Sequence, residues 1–113
     1  MARFLVQITV VLPADMPASE RESLLEREAE RGRELRRDGL IEDIWRIPGR
    51  LANVGIWRAD SPTALHLAIT SLPVWPWTEV TVTALADHHL TREPEQRPAP
   101  EPGGDSAPRG GPR

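Results

Sequence analysis

Cysteine and lysine are both missing from this chain of 113 residues. Without cysteine there is no disulfide framework, no thiolate metal site and no sulfur nucleophile, and the composition suits a reducing compartment. Without lysine there is no Schiff-base chemistry and no amine general base. All 14 basic side chains are arginines, so any cation in a site is a permanently charged guanidinium. Charge of one sign is also lacking: 17 acidic residues against 14 basic ones leave a net charge of −3, which offers no basis for a polyanionic partner such as nucleic acid. A long apolar run is absent as well. The stretch Phe4 to Leu12 is interrupted by Gln7 and Thr9, lacks a small-residue cleavage pattern and is too short to span a bilayer, so it reads as a buried strand. The expectation is a soluble, cytoplasmic protein with no membrane partner.

What is present divides sharply. The segment TREPEQRPAPEPGGDSAPRGGPR at the C-terminus holds half of the twelve prolines and half of the eight glycines, with no large apolar residue to anchor it. The expected organisation is one ordered domain over residues 1–90 and a disordered tail over 91–113. A domain this small buries only about 60 to 65% of its unfolded surface, so association with further copies is expected to add to its stability.

Within the domain, Phe4, Val6, Ile8, Val10 and Leu12 alternate with Leu5, Gln7, Thr9 and Val11, the period-two pattern of a strand with one apolar and one mixed face. Pro13 ends it. Ser19 with Glu22 three residues on resembles a capping box and predicts a helix from about Glu20 to Asp38, with Arg36 and Arg37 at its carbonyl end and Gly39 just beyond. LIEDIWRI and LANVGIWRA, joined by Pro48, Gly49 and Arg50, read as an antiparallel hairpin. Ser61 and Pro62 open a second helix to about Leu72, LPVWPW breaks the pattern, and Thr78 to Leu85 is a last strand. The order β-α-β-β-α-β predicts an α+β, ferredoxin-like fold, a four-stranded antiparallel sheet with two helices on one face. The uncovered face carries Leu5, Val11 and either Trp57 or Ile56, and is expected to be buried sheet-to-sheet by a second subunit.

Glu28 is the most informative residue. At about 100° per residue, Leu24, Leu25, Ala29, Gly32 and Leu35 share an arc of roughly 140°, and Glu28 falls near its middle while most other charges of the helix point away. Either it is ion-paired with an inward arginine or it occupies a pocket, where burial would raise its pKa toward that of a working base. Arg46 could hold a carboxylate in a fork geometry or be a solvated strand arginine. Asn53 sits on a strand, where asparagine is disfavoured, so it carries a hydrogen-bonding task, structural or functional. His66 reads as a helix-surface residue. His88 and His89 have no carboxylate or thiolate company, and no metal site is expected.

VxITVxLPADM, the helix ending LRRDG, the strand pair IWRIPGRLANVGIW and the segment SLPVWPW together resemble the muconolactone Δ-isomerases of aromatic catabolism, from about Phe4 to Leu85. The resemblance implies a ferredoxin-like subunit that forms a sheet-to-sheet dimer and assembles further into a decamer. It also implies a cofactor-independent proton shift turning muconolactone into the 3-oxoadipate enol-lactone. By the same resemblance Glu28 matches an acidic position of the family helix and is the candidate catalytic carboxylate, and Arg46 is the leading candidate for holding the substrate carboxylate; Trp45, Asn53 and Trp57 complete the expected substrate-binding set. Leu5, Gln7 and Val11 stand where familiar members carry basic residues, which implies a less cationic pocket. Two alternatives therefore stay beside the lactone isomerase: a related isomerase or cyclase of secondary metabolism acting on a larger apolar carbonyl or polyketide, and a non-enzymatic oligomeric binding protein.

Overall fold

The computed structural model describes residues 1–91, so the expected tail lies almost wholly outside the described residues. Four strands, β1 (Ala2–Val10), β2 (Ile41–Arg46), β3 (Ala52–Ala59) and β4 (Thr78–Leu85), and two helices, α1 (Ala18–Arg37) and α2 (Pro62–Thr70), follow one another as β-α-β-β-α-β. All pairings are antiparallel and the strand order is β2-β3-β1-β4. This is the predicted ferredoxin-like α+β arrangement.

Strand alternation decides the faces. Phe4 pairs with Trp57, Val6 with Gly55 and Ile8 with Asn53, and these positions turn toward the helices. Phe4, Val6, Ile8 and Trp57 form the core with Leu24 and Leu35 of α1, Leu65 and Ile69 of α2, and Val74. Trp57 is therefore not on the open face. Its neighbour Ile56, paired with Leu5, takes that place, because a one-residue step along a strand exchanges faces.

The helix ends show how local chemistry and packing share the work. At the C-terminus of α1, Leu40 N–H donates to the Leu35 carbonyl at 2.9 Å and Gly39 N–H to the Arg36 carbonyl at 3.1 Å, a Schellman closure that needs φ +84° at Gly39. The N-terminus departs from expectation. The helix begins at Ala18, with Pro17 as N-cap and no side-chain cap, and Ser19 lies inside the first turn. Pro17 already has the extended φ and ψ of a cap residue, its carbonyl accepts from Arg21 N–H at 2.9 Å, and Met16 packs on the core one residue before it. In α2 the expected cap is found: Ser61 Oγ accepts from Ala64 N–H at 3.1 Å and Pro62 opens the helix, which stops at Thr70, two residues before Leu72.

Between β2 and β3 the register shifts at Ile41/Asp43, bringing the Asp43 carbonyl so close to Gly55 that a Cβ there would lie 2.6 Å from it. No residue but glycine fits this position, and the close approach sets where Ile44, Trp45 and Arg46 fall against β3.

Candidate active site

Beyond α2 the chain turns through Leu72, Pro73 and Val74 into a short 3-10 turn, Trp75–Trp77, before β4. This irregular segment lies against α1. Val74 is fully buried, and its N–H donates to Glu28 Oε1 at 3.2 Å. Helical spacing carries Glu28 to the inner side of α1, and the Val74 amide holds its carboxylate there. The carboxylate has no salt bridge among the described residues, so of the two readings of Glu28 the pocket is the one realised.

The cavity beside it has a volume of about 240 Å³ and is lined by Ile8 and Val10 of β1, Leu25, Glu28 and Ala29 of α1, Arg46 of β2, Leu51, Ala52 and Asn53 at the start of β3, and Val74. Arg46 and Asn53 are directly opposite each other across the β2–β3 ladder, and Asn53 faces Ile8 across the β3–β1 ladder. Three polar side chains thus converge on an otherwise apolar space, the carboxylate on the helix wall and the guanidinium and amide on the sheet wall. Burial holds the Glu28 carboxyl above its ordinary pKa by penalising the anion, and the Val74 hydrogen bond opposes this by favouring the anion. Asn53 Oδ1 is shut off from solvent without a partner.

The other two expected site residues are not brought to this cavity. Trp57 is 1% exposed in the core, and Trp45, opposite Val54, is 54% exposed on the open sheet face. Leu5 and Gln7, paired with Ile56 and Val54, are also on that open face and do not line the Glu28 cavity. His66 is exposed, edge-on to Trp75 at 6.1 Å, and no group of metal-ligating side chains occurs among the described residues. The contribution that sequence reasoning missed is Val74. Its role is a backbone one, and the only signal of it was a break in periodicity at LPVWPW.

The sequence model of the family described as muconolactone delta-isomerase matches residues 2–91. This chain belongs to the muconolactone Δ-isomerase family. Among its relatives, Muconolactone Delta-isomerase 2 of Acinetobacter lwoffii is 38% identical over 85 residues, covering 75% of this chain and 88% of the relative. The Muconolactone Delta-isomerase of Pseudomonas aeruginosa is 36% identical over the same shares. A crystal structure of muconolactone isomerase superposes with a TM-score of 0.75 at 33% identity, over 84% of this chain and 99% of that one. Family membership and fold therefore agree with the resemblance seen in the sequence, and the Glu28 cavity lies within the matched region.

Proposed function

We propose that this family member moves a proton within a small unsaturated lactone of the muconolactone type, with Glu28 as the base. The observation that carries the reading is the half-buried Glu28 carboxylate, unpaired among the described residues, facing one cavity with Arg46 and Asn53. In a γ-substituted unsaturated lactone the γ C–H is acidified by conjugation to the ring carbonyl. Glu28 removes that proton, the electron pair spreads through the C=C bond to the carbonyl oxygen as a dienolate, and the protonated Glu28, after exchange with solvent at the open end of the cavity, delivers a proton to the α carbon. The double bond shifts by one position with no net oxidation or reduction. A base whose pKa is lifted by burial is better matched to both halves of this exchange. Arg46, at the exposed rim, holds the carboxylate side arm.

Cavity size favours a single-ring acid over a polyketide-sized substrate, since about 240 Å³ lies below the roughly 300–1,000 Å³ of pockets for drug-sized ligands. We also infer that the open sheet face, with Leu5 and Trp45 exposed and Val54 and Ile56 half-buried, is covered by a second copy of the chain.

The test is muconolactone turnover followed by proton NMR in deuterated buffer. The wild type is expected to form the enol-lactone with deuterium at the α carbon, and Glu28→Gln to lose conversion and exchange together. Full activity in Glu28→Gln would remove the carboxylate mechanism.

A further inference from the structure

Of the three polar side chains in the Glu28 cavity, Asn53 is the one whose presence the fold does not explain. It lies on the helix-facing side of β3, between Gly55 and the apolar wall made by Ile8 and Leu51, where a small aliphatic residue would satisfy the packing. Its Oδ1 is cut off from water with no hydrogen bond, a cost that a structural asparagine would avoid by bonding to a neighbour. The side-chain hydrogen bonds of the described residues also leave its NH2 group without an acceptor. An amide that contributes no internal hydrogen bond is held in place at the sheet wall of the cavity, opposite the carboxylate on α1.

The other donors of the cavity are already committed. The Val74 N–H is taken by Glu28, and on the proton-shift reading the Arg46 guanidinium, at the solvent-exposed end, is assigned to the substrate's carboxylate arm. A proton shift driven by Glu28 from the helix side pushes negative charge onto the lactone carbonyl oxygen, which needs a donor from the opposite wall. We propose that Asn53 donates its side-chain N–H to that oxygen and stabilises the dienolate, making it a catalytic residue of the Glu28 site. The assignment rests on the proton-shift reading of the cavity. It gives the two walls distinct tasks, proton transfer from α1 and charge stabilisation from β3.

The experiment compares wild type, Asn53→Ala and the near-isosteric Asn53→Leu in steady-state muconolactone turnover, with thermal melts confirming that each variant folds. A second readout is independent of turnover. The chromogenic probe 4-hydroxy-3-nitrophenylacetate carries a carboxymethyl arm and a ring oxygen that ionises, and it is titrated into Glu28→Gln, which resembles the site after the base has taken its proton. The expected result is a fall in kcat of about 100-fold in both Asn53 variants, the scale of removing one oxyanion donor, with KM little changed. The probe is expected to bind Glu28→Gln as the yellow phenolate with its pKa lowered, and to lose that shift in Glu28→Gln/Asn53→Leu. A wild type that converts muconolactone while Asn53→Leu keeps its kcat overturns the role of Asn53 and leaves Glu28 standing. A wild type with no turnover overturns the proton-shift reading, and the probe then decides Asn53: a pKa shift that depends on it sustains an oxyanion site, and its absence overturns that as well.

Discussion

At the scale of single residues, the site turns on a carboxylate placed where its charge is penalised. Burial raises the Glu28 pKa in the folded chain above its value in the unfolded one. Between those two values the native chain holds a proton that the unfolded chain has lost, so stability falls as pH rises through that window and stays lowered above it. A glutamine side chain in the same place carries no such penalty and can still accept the Val74 N–H. Glu28→Gln is therefore expected to melt at a higher temperature than wild type at neutral pH, with the gap closing as pH drops below the ordinary glutamate range. A gap that does not change with pH would show that Glu28 is not desolvated. The same shift sets the activity profile. The kcat/KM for muconolactone should rise with pH and level off with an inflection above that of a free glutamate, as the base loses its proton. Glu28 was legible in the sequence because helical spacing alone put a charge inside an apolar arc. Asn53 was legible as a residue type disfavoured on a strand and Arg46 as a carboxylate holder or a solvated strand arginine, but their meeting depended on the β2–β3 register. Trp45 and Trp57 show the limit: aromatic character marks neither a binding role nor a face, and the pairing sent one to the open side and the other into the core.

At the scale of elements, the two helix starts carry opposite lessons. Ser61 caps α2 as its sequence indicates, and Ser61→Ala is expected to cost about 1 kcal/mol in urea unfolding. Ser19 has the same local signature followed by Glu22, yet it lies within α1 and caps nothing. Ser19→Ala is accordingly expected to leave stability within about 0.5 kcal/mol of wild type, as at an ordinary surface position. Equal losses for the two variants would contradict the observed start of α1. The difference arises because a cap motif is an offer to the backbone, and at α1 the offer competes with Pro17 and the packing of Met16, which start the helix earlier. Where only local chemistry acts, at Gly39 after α1 and in the turn between β2 and β3, expectation and structure agree.

At the scale of the whole molecule, the sheet has one face filled by helices and one that is not. Leu5 on the central strand β1 is exposed beside Ile56, Val54 and Trp45, an apolar surface rimmed by Arg3 and Glu42, which bond at 2.9 Å. If a second copy covers this face, Leu5→Glu places a charge in the middle of the contact. The expected outcome is a drop in assembly mass by size-exclusion chromatography with light scattering, while the circular dichroism of the subunit is kept. An unchanged mass would place the subunit contact elsewhere. The membership of the chain in the muconolactone Δ-isomerase family makes activity a second readout of the same variant, because the Glu28 cavity is on the other side of the sheet and does not include Leu5.

The sequence by itself determined the element order, the antiparallel hairpin, the helix-facing alternation of β1, and the inward position of Glu28. Each follows from periodicity or turn chemistry within a few residues. The tertiary structure alone decided which residues share a cavity. The cross-strand register set Asn53 against Arg46, the register shift at Ile41/Asp43 set the face that Trp45 takes, and the irregular Val74 segment supplied the amide that holds Glu28. These are pairings between residues as much as 46 positions apart. No local pattern encodes them, because their free energy comes from burying surfaces that meet only when the whole sheet has formed.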